Sequence, residues 1–168
     1  VFHNDGYFVI RDEYSKELGT GKVPFTLNLA AIYKQIYALA VHPSKNCIAM
    51  QVGLNQLNLL FLKEKQAEEV KLTFPKAKKI LGFSFVFGDD FNFFVATNTQ
   101  IDLYDVSLSK QRAKAVKTLW FTVAEGHAEL YYDSLANIAV ICDTQKGCVY
   151  PYFLNLYKSK HSKGKAIQ

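Results

Sequence analysis

Cysteine is scarce in this chain. Cys47, Cys142 and Cys148 are the only three, an odd number, and each sits in or beside an apolar run. A disulfide framework is therefore not expected, and a reducing compartment suits the chain better. No Asn-x-Ser/Thr acceptor occurs, which agrees with that reading. No run of about 20 apolar residues is present, so no membrane-spanning helix is expected. Acids are missing from one stretch in particular, residues 158–168, where Lys158, Lys160, Lys163 and Lys165 stand together. Taking those four from the formal charge of +5 leaves +1 for the rest. The body is close to neutral, which argues against a surface built for nucleic acid.

Apolar residues, by contrast, are plentiful: they make up 49% of the 168 residues, with 13 Phe and 10 Tyr. That is enough to bury a core within one domain, and it excludes a disordered tail.

The apolar residues recur in a pattern. Residues 36–62, 79–106 and 127–153 each read as an apolar run, a polar break, a second run, a second break and a third run. The first breaks are "HPSKN", "GDD" and "DSLAN"; the second are "GLNQ", "TNTQ" and "TQKG". Their Gly, Asn, Asp and Pro supply the dihedrals a chain reversal needs. Leu39, Phe83 and Leu130 hold equivalent places, 44 and then 47 residues apart. A shortened copy, "VFHNDGYFVIRD", opens the chain.

Runs two and three are apolar on both faces. In residues 91–96, Phe91, Phe93 and Val95 alternate with Phe94 and Ala96. Such a strand must be covered on both sides. A following segment, "EEVKLTF", alternates instead, with Val70, Leu72 and Phe74 opposed to Glu69, Lys71 and Thr73. Three buried strands and one half-exposed strand, repeating at about 45 residues, describe the blade of a β-propeller. Tyr104-Asp105 ends a third run where WD repeats place Trp-Asp, and Gly126-His127 resembles the Gly-His half of that signature but lies too close to the first run to serve the same turn.

The expected fold is all-β: an incomplete WD-like propeller of about three to four blades of four antiparallel strands, with a β-sandwich as the alternative. The partial propeller occupies residues 1–157, and residues 158–168 form a basic loop or tail leading into an outer strand. Propellers close with about four to eight blades, so the expectation is a segment of a larger ring or a chain completed by a partner. Helix is plausible only at 28–38, which reads as a connector and the start of a strand.

Candidate chemistry fails site by site. "GTGKV" (residues 19–23) lacks the earlier Gly and the following Ser or Thr of a phosphate loop, since Lys16 and Val23 hold those places. It reads as a hairpin turn. "GFSFV" (residues 82–86) lacks the closing Gly of a nucleophile elbow, leaving Ser84 as a small strand residue. His3, His42, His127 and His161 have no His or Cys companion at metal spacing. His42-Pro43 reads as a turn, and His127 as the start of a strand. Cys142 and Cys148 are able to face each other across a turn, although core filling suits them better. Asp89-Asp90 lacks further oxygen ligands in reach for a cation. No enzyme, cofactor, metal, nucleic acid or small-molecule substrate is expected. The four lysines of 158–168 are the one candidate contact, toward an acidic surface such as a membrane, worth about 1 kcal/mol per Lys.

The order "IYALAVHPSKNCIAMQV", "KKILGFSFVFGDDFNFFVATNTQIDLYDV", "AELYYDSLANIAVI" and "CVYPYF" resembles the amino-terminal propeller of the Mic-one-like family, called Bulli in flies. The most specific piece is Ile80-Leu81-Gly82-Phe83 followed by Ile101-Asp102-Leu103-Tyr104, matching the family's "ILGF" and its Ile-acid-hydrophobic-Tyr strand. Members form the regulator subunit of the Mon/Ccz complex, the exchange factor for the late-endosomal Rab-seven GTPase. The resemblance implies a non-catalytic scaffold, followed in the family by a helical region. It would bind Mon/Ccz-type subunits and act in the cytoplasm, peripheral to late endosomes and lysosomes, in endosome maturation and autophagy. The matching residues build the fold, so no contact residue is transferred.

Overall fold

In the computed structural model, residues 7–11, 17–22, 36–44, 46–62, 67–88 and 90–157 are described, the side chains of 7–11, 17–22 and Ala67 excepted. The chain divides into two compact units, Val1–Thr73 and Phe74–Gln168.

In the first unit, β1 (Tyr7–Arg11) and β2 (Glu17–Lys22) form an antiparallel pair. The "GTGK" stretch thus lies inside a strand, not at the hairpin turn its glycines suggest. The two glycines pair with Phe8 and Ile10, so backbone bonding to an apolar neighbour overrides the weak strand propensity of Gly. A four-stranded meander follows: β3 (Ala38–Val41), β4 (Cys47–Gly53), β5 (Gln56–Leu62) and β6 (Ala67–Thr73), in sequence order. The strand breaks fall at "HPSKN" and "GLNQ", as their turn chemistry requires. Cys47 to Gln51 and Leu57 to Phe61 are buried without interruption, so both faces of β4 and β5 are covered. On β6, Val70 and Leu72 are half-buried while Glu69, Lys71 and Thr73 are exposed. Cross-strand partners share a face, which places Ile48, Met50 and Leu60 in one cluster with Ile36, Val52 and Leu62. Of the 28–38 stretch, only residues 36–38 are described, and there β3 begins at Ala38.

The second unit holds two stacked sheets. The first is a meander of β7 (Ile80–Phe85), β8 (Phe93–Thr97), β9 (Gln100–Ser107) and β10 (Arg112–Trp120). The other contains β11 (Ala128–Asp133), β12 (Ile138–Asp143) and β13 (Cys148–Phe153), followed by a 3-10 turn at Leu154–Leu156. Its two reversals use one recipe. Asp133 Oδ1 accepts the N–H groups of Leu135 and Ala136 at 2.9 and 3.2 Å, and Asp143 Oδ1 accepts those of Gln145 and Lys146 at 3.0 Å. Each turn ends on a residue with positive φ, Asn137 at 53° and Gly147 at 66°, which Asn and Gly tolerate at low cost.

The sheets join through one face of each. Ser84, Phe94, Leu103 and Lys117 form one cross-strand row on the first sheet; Gly82, Ala96, Ile101 and Leu119 form the next. Against them stand Leu130, Ile141 and Tyr150, then Tyr132, Ala139 and Tyr152. Phe94 meets Tyr132 edge-on at 4.9 Å between ring centroids, a favoured aromatic geometry. Gly82 has a steric reason to be Gly: a Cβ there would lie 2.7 Å from Leu130 Cδ2. A bulge between Ala115 and Lys117 sets the phase of β10. Without the extra residue Val116, Leu119 would turn away from the interior and Thr118 toward it.

The architecture is all-β, built of consecutive antiparallel meanders of blade type. A two-layer sandwich, the alternative expectation, would distribute its strands over two sheets; among the described residues each sheet is one continuous stretch of chain, and there are four. The count of four strands per blade holds for two of them. The third has three strands among the described residues, and the opening pair has two. The expected fourth strand of the last blade would follow residues 158–168, which lie outside the described residues.

Candidate interaction surface

Buried polar groups repeat with the meanders. Gln56 and Asn58 open β5, and Gln100 and Asp102 open β9, 44 residues on. Gln56 donates to Asn58 Oδ1 at 3.2 Å, and Asn58 donates to Glu69 Oε1 at 2.6 Å. Gln100 donates to both Asp102 oxygens at 2.9 and 2.8 Å, and Thr118 Oγ1 donates to Asp102 Oδ1 at 2.7 Å. Lys78 closes this second network by donating to Gln100 Oε1 and lying 5.0 Å from the centroid of the Trp120 ring. At the same place in the third sheet, Cys148 Sγ donates to Tyr150 Oη at 3.4 Å. Each third strand thus carries an i, i+2 hydrogen-bonded pair. These groups satisfy one another, and that marks them as structural.

Exposed apolar side chains gather on the outer face of the third sheet. Cross-strand register forms three rows there: Glu129, Cys142, Val149; Tyr131, Val140, Pro151; and Asp133, Ile138, Phe153. Tyr131, Val149 and Phe153 are 60%, 59% and 48% exposed. The first column, on β11, is acidic around one tyrosine; the other two are apolar apart from Cys142. Tyr131 Oη donates to Glu129 Oε2 at 3.1 Å, and this bond raises the tyrosine pKa.

One edge of the sheet is open among the described residues. Leu154 N–H bonds Asn137 O at 3.0 Å, and the β12–β13 register is unbroken. Hydrogen-bonded pairs alternate along an antiparallel ladder, so the backbone groups of Val149, Pro151 and Phe153 point away from β12. Pro151 therefore sits where its missing N–H costs no bond, the position proline takes on edge strands.

At one end of the unit, Asn137 ties three segments together. Its amide donates to Phe87 O at 2.9 Å and to Asn155 Oδ1 at 2.8 Å, while Tyr132 Oη donates to its Oδ1 at 2.8 Å. Phe87 and Leu135, at 81% and 98% exposure, project beside this buried hub. Sequence reasoning missed both surfaces. Asn137 read only as a turn residue, and the exposure of Tyr131 and Val149 depends on how the sheets stack.

The residues singled out from sequence disperse. Cys142 and Cys148 do not face each other: Cys142 pairs with Val149 and Cys148 with Asp143, so they lie on opposite faces of the sheet, and both are free thiols. Ser84 is a strand residue of β7, donating to Phe85 O at 3.0 Å. His42 lies in the first turn with Ser44 Oγ 2.8 Å from its Nδ1. His127 stands just before β11, its Nδ1 3.2 Å from Thr144 Oγ1. Tyr104 is buried beside Phe93, and Asp105 is exposed. Among the described residues, no three His, Cys, Asp or Glu side chains gather as a metal site, and no helix is long and apolar enough to cross a membrane. His3, Asp89, His161, Lys158, Lys160, Lys163 and Lys165 lie outside the described residues.

A scan against protein-family models finds no match, and a search of curated proteins finds none either. Among solved structures, the chain is similar to the WD40 domain of SCAP from fission yeast, at 10% identity and a TM-score of 0.43, over 90% of this chain and 40% of that one. The chain thus spans less than half the length of that structure.

Proposed function

We propose that this chain is a non-catalytic interaction scaffold. The observation that carries this reading is the outer face of the third sheet, where Tyr131, Val149 and Phe153 stand exposed beside half-buried Ile138, Val140 and Cys142. A contiguous apolar face of this kind marks an interaction surface. The polar pairs Gln56–Asn58 and Gln100–Asp102, in contrast, are engaged with each other. Its partners are proteins, and the sequence resemblance supports a definite set: Mon/Ccz-type exchange-factor subunits, in Rab-seven activation at late endosomes and lysosomes. The lysines of 158–168 would add a peripheral contact with acidic membrane. Neutralising Lys158, Lys160, Lys163 and Lys165 together should weaken binding to anionic vesicles by about 4 kcal/mol at most, at about 1 kcal/mol each. Unchanged co-sedimentation with those vesicles would remove the membrane contact.

Affinity purification of the full-length native protein, with mass spectrometry of what accompanies it, tests the partner. Stoichiometric recovery of a Mon/Ccz-type pair is expected. Recovery of coat or tethering subunits instead would reassign the chain to another class of trafficking adaptor. Recovery of no stoichiometric protein would overturn the scaffold reading itself.

A further inference from the structure

We infer that the rim of the first sheet in the second unit, built from the turn before β7 and the end of β10, is a contact site for an anionic lipid surface. The inference goes beyond the scaffold reading and stands without it. Residues 74–88 and 106–124 contain seven basic residues and no acid. The +1 of the body outside the lysine tail therefore divides into +7 here and −6 elsewhere. In the turn, Lys76 and Lys79 are exposed. Asn98 fixes the backbone that carries them: its amide donates to Ala77 O at 3.1 Å, and its Oδ1 accepts the Lys79 N–H at 3.0 Å. Lys78 N–H bonds Pro75 O at 2.8 Å within the turn. The Lys78 side chain reaches Gln100 and lies over Trp120, whose indole is 67% exposed. Of the acids on β9, Asp102 is buried and bonded to Gln100 and Thr118, and Asp105 stands opposite Lys114 rather than beside the turn. The sheet that follows, β11 to β13, is present and packed against this one, so the exposure does not come from a missing neighbour.

Charge of one sign beside an exposed indole selects the occupant. Lysines spread over a turn match the diffuse negative potential of anionic headgroups. An indole, apolar but for one N–H, settles at the headgroup level of a bilayer. An acidic peptide added to β10 as a further strand is disfavoured on two counts. The bulge between Ala115 and Lys117 breaks the regularity of that edge, and Trp120 O already accepts a bond from Tyr152 Oη at 3.3 Å. The patch also continues toward the lysine tail. On the same strand, Lys117 Nζ lies 5.1 Å from the centroid of the Tyr157 ring, and Lys158 is the next residue in sequence. Lys117 and Trp120 are about 10 Å apart along the strand. Turn, indole and tail would therefore meet one surface together.

Trp120 is the single tryptophan of the 168-residue chain, so its fluorescence reports the contact directly. Vesicles of phosphatidylcholine and phosphatidylserine in equal parts should shift its emission to shorter wavelength, and phosphatidylcholine alone should not. Lys76→Gln with Lys79→Gln should weaken binding to the mixed vesicles about tenfold or more, and binding should decline as salt rises. Both lysines are exposed, so the fold should survive, which circular dichroism checks; the shift in the unaltered chain needs no variant. A chain that co-sediments without a shift in Trp120 overturns the inference, as does an equal shift with neutral vesicles or a double variant that binds as the parent does. A shift produced by polyglutamate or single-stranded DNA but not by vesicles assigns the patch to another polyanion and likewise overturns it. If neutralising the tail lysines abolishes binding while the turn variant binds normally, this inference fails alone and the tail contact stands. If the parent binds no anionic vesicle, both membrane contacts fail and the protein-scaffold reading is untouched.

Discussion

A methyl group on Gly82 would lie 2.7 Å from Leu130 Cδ2, closer than carbon atoms approach without something moving. Leu130 is a flexible side chain, so it will yield, but only by leaving Ile141 and Phe94 less well packed. Gly82→Ala should therefore destabilise the protein by about 1–3 kcal/mol, the usual range for overpacking. Adding Leu130→Ala should recover part of that loss, giving a coupling of about 0.5–3 kcal/mol in a double-mutant cycle measured by urea unfolding. Strict additivity of the two changes would show that Gly82 is not there for Leu130. Tyr104 and Cys47 set a second residue-level expectation, in pH. Burial, aided by Asp102, pushes Tyr104 from an ordinary 10.0 up to about 12, and burial pushes Cys47 from 9.0 to about 12. Both are neutral in the fold and ionise more readily in the unfolded chain. Their contribution is intact below about pH 9 and is lost as pH rises toward about 12. At about 1.4 kcal/mol per unit, Tyr104 alone accounts for a fall on the order of 2–3 kcal/mol. Denaturation midpoints measured from pH 9 to 12 should fall less steeply in Tyr104→Phe.

At the scale of the element, the guarded edge is the informative case. Pro151 occupies a position on β13 whose backbone faces away from β12, so replacing it should leave the sheet intact. Pro151→Val would restore an N–H to an edge that is open among the described residues and complete a template for strand pairing. The variant should self-associate more than the parent in sedimentation velocity, with an unchanged near-ultraviolet spectrum. A loss of folded signal would instead place the Pro151 nitrogen toward β12. The element scale also separates what sequence conveys from what it does not. The burial of β8 and of most of β4, β5 and β9 was legible because their apolar residues occupy both faces, and β6 was legible because its residues alternate. Strand β2 was not, since Glu17–Lys22 contains one apolar residue, Leu18, and two glycines, and its pairing with β1 comes from the backbone. Nor was the phase of β10. The bulge at Val116 changes which side chains point inward without any local signature, and only the pairing of Lys117 with Leu103 reveals it. The candidate surface was half-legible. The apolar second and third runs were evident, but the acids on β11 become a patterned column only when register sets Glu129, Tyr131 and Asp133 on one side.

For the whole molecule, the exposed face makes an expectation about solution behaviour that salt can resolve. The 168-residue chain presents Val140, Val149 and Phe153 outward, an apolar surface that water disfavours. Purified alone, it should bind a hydrophobic dye and associate as concentration rises. Two copies meeting at this face would also oppose Glu129 and Asp133 to each other, so repulsion limits that association at low salt. Raising ionic strength screens the repulsion over a Debye length of about 10 Å at 0.1 M and strengthens apolar contact. Self-association should therefore increase with salt. Val140→Lys should suppress both dye binding and association, because it places a charge at the centre of the apolar columns. A chain that stays monomeric and dye-silent across that range would show the face to be satisfied without a partner. Association that weakens with salt would place the contact elsewhere, on a surface where opposite charges meet.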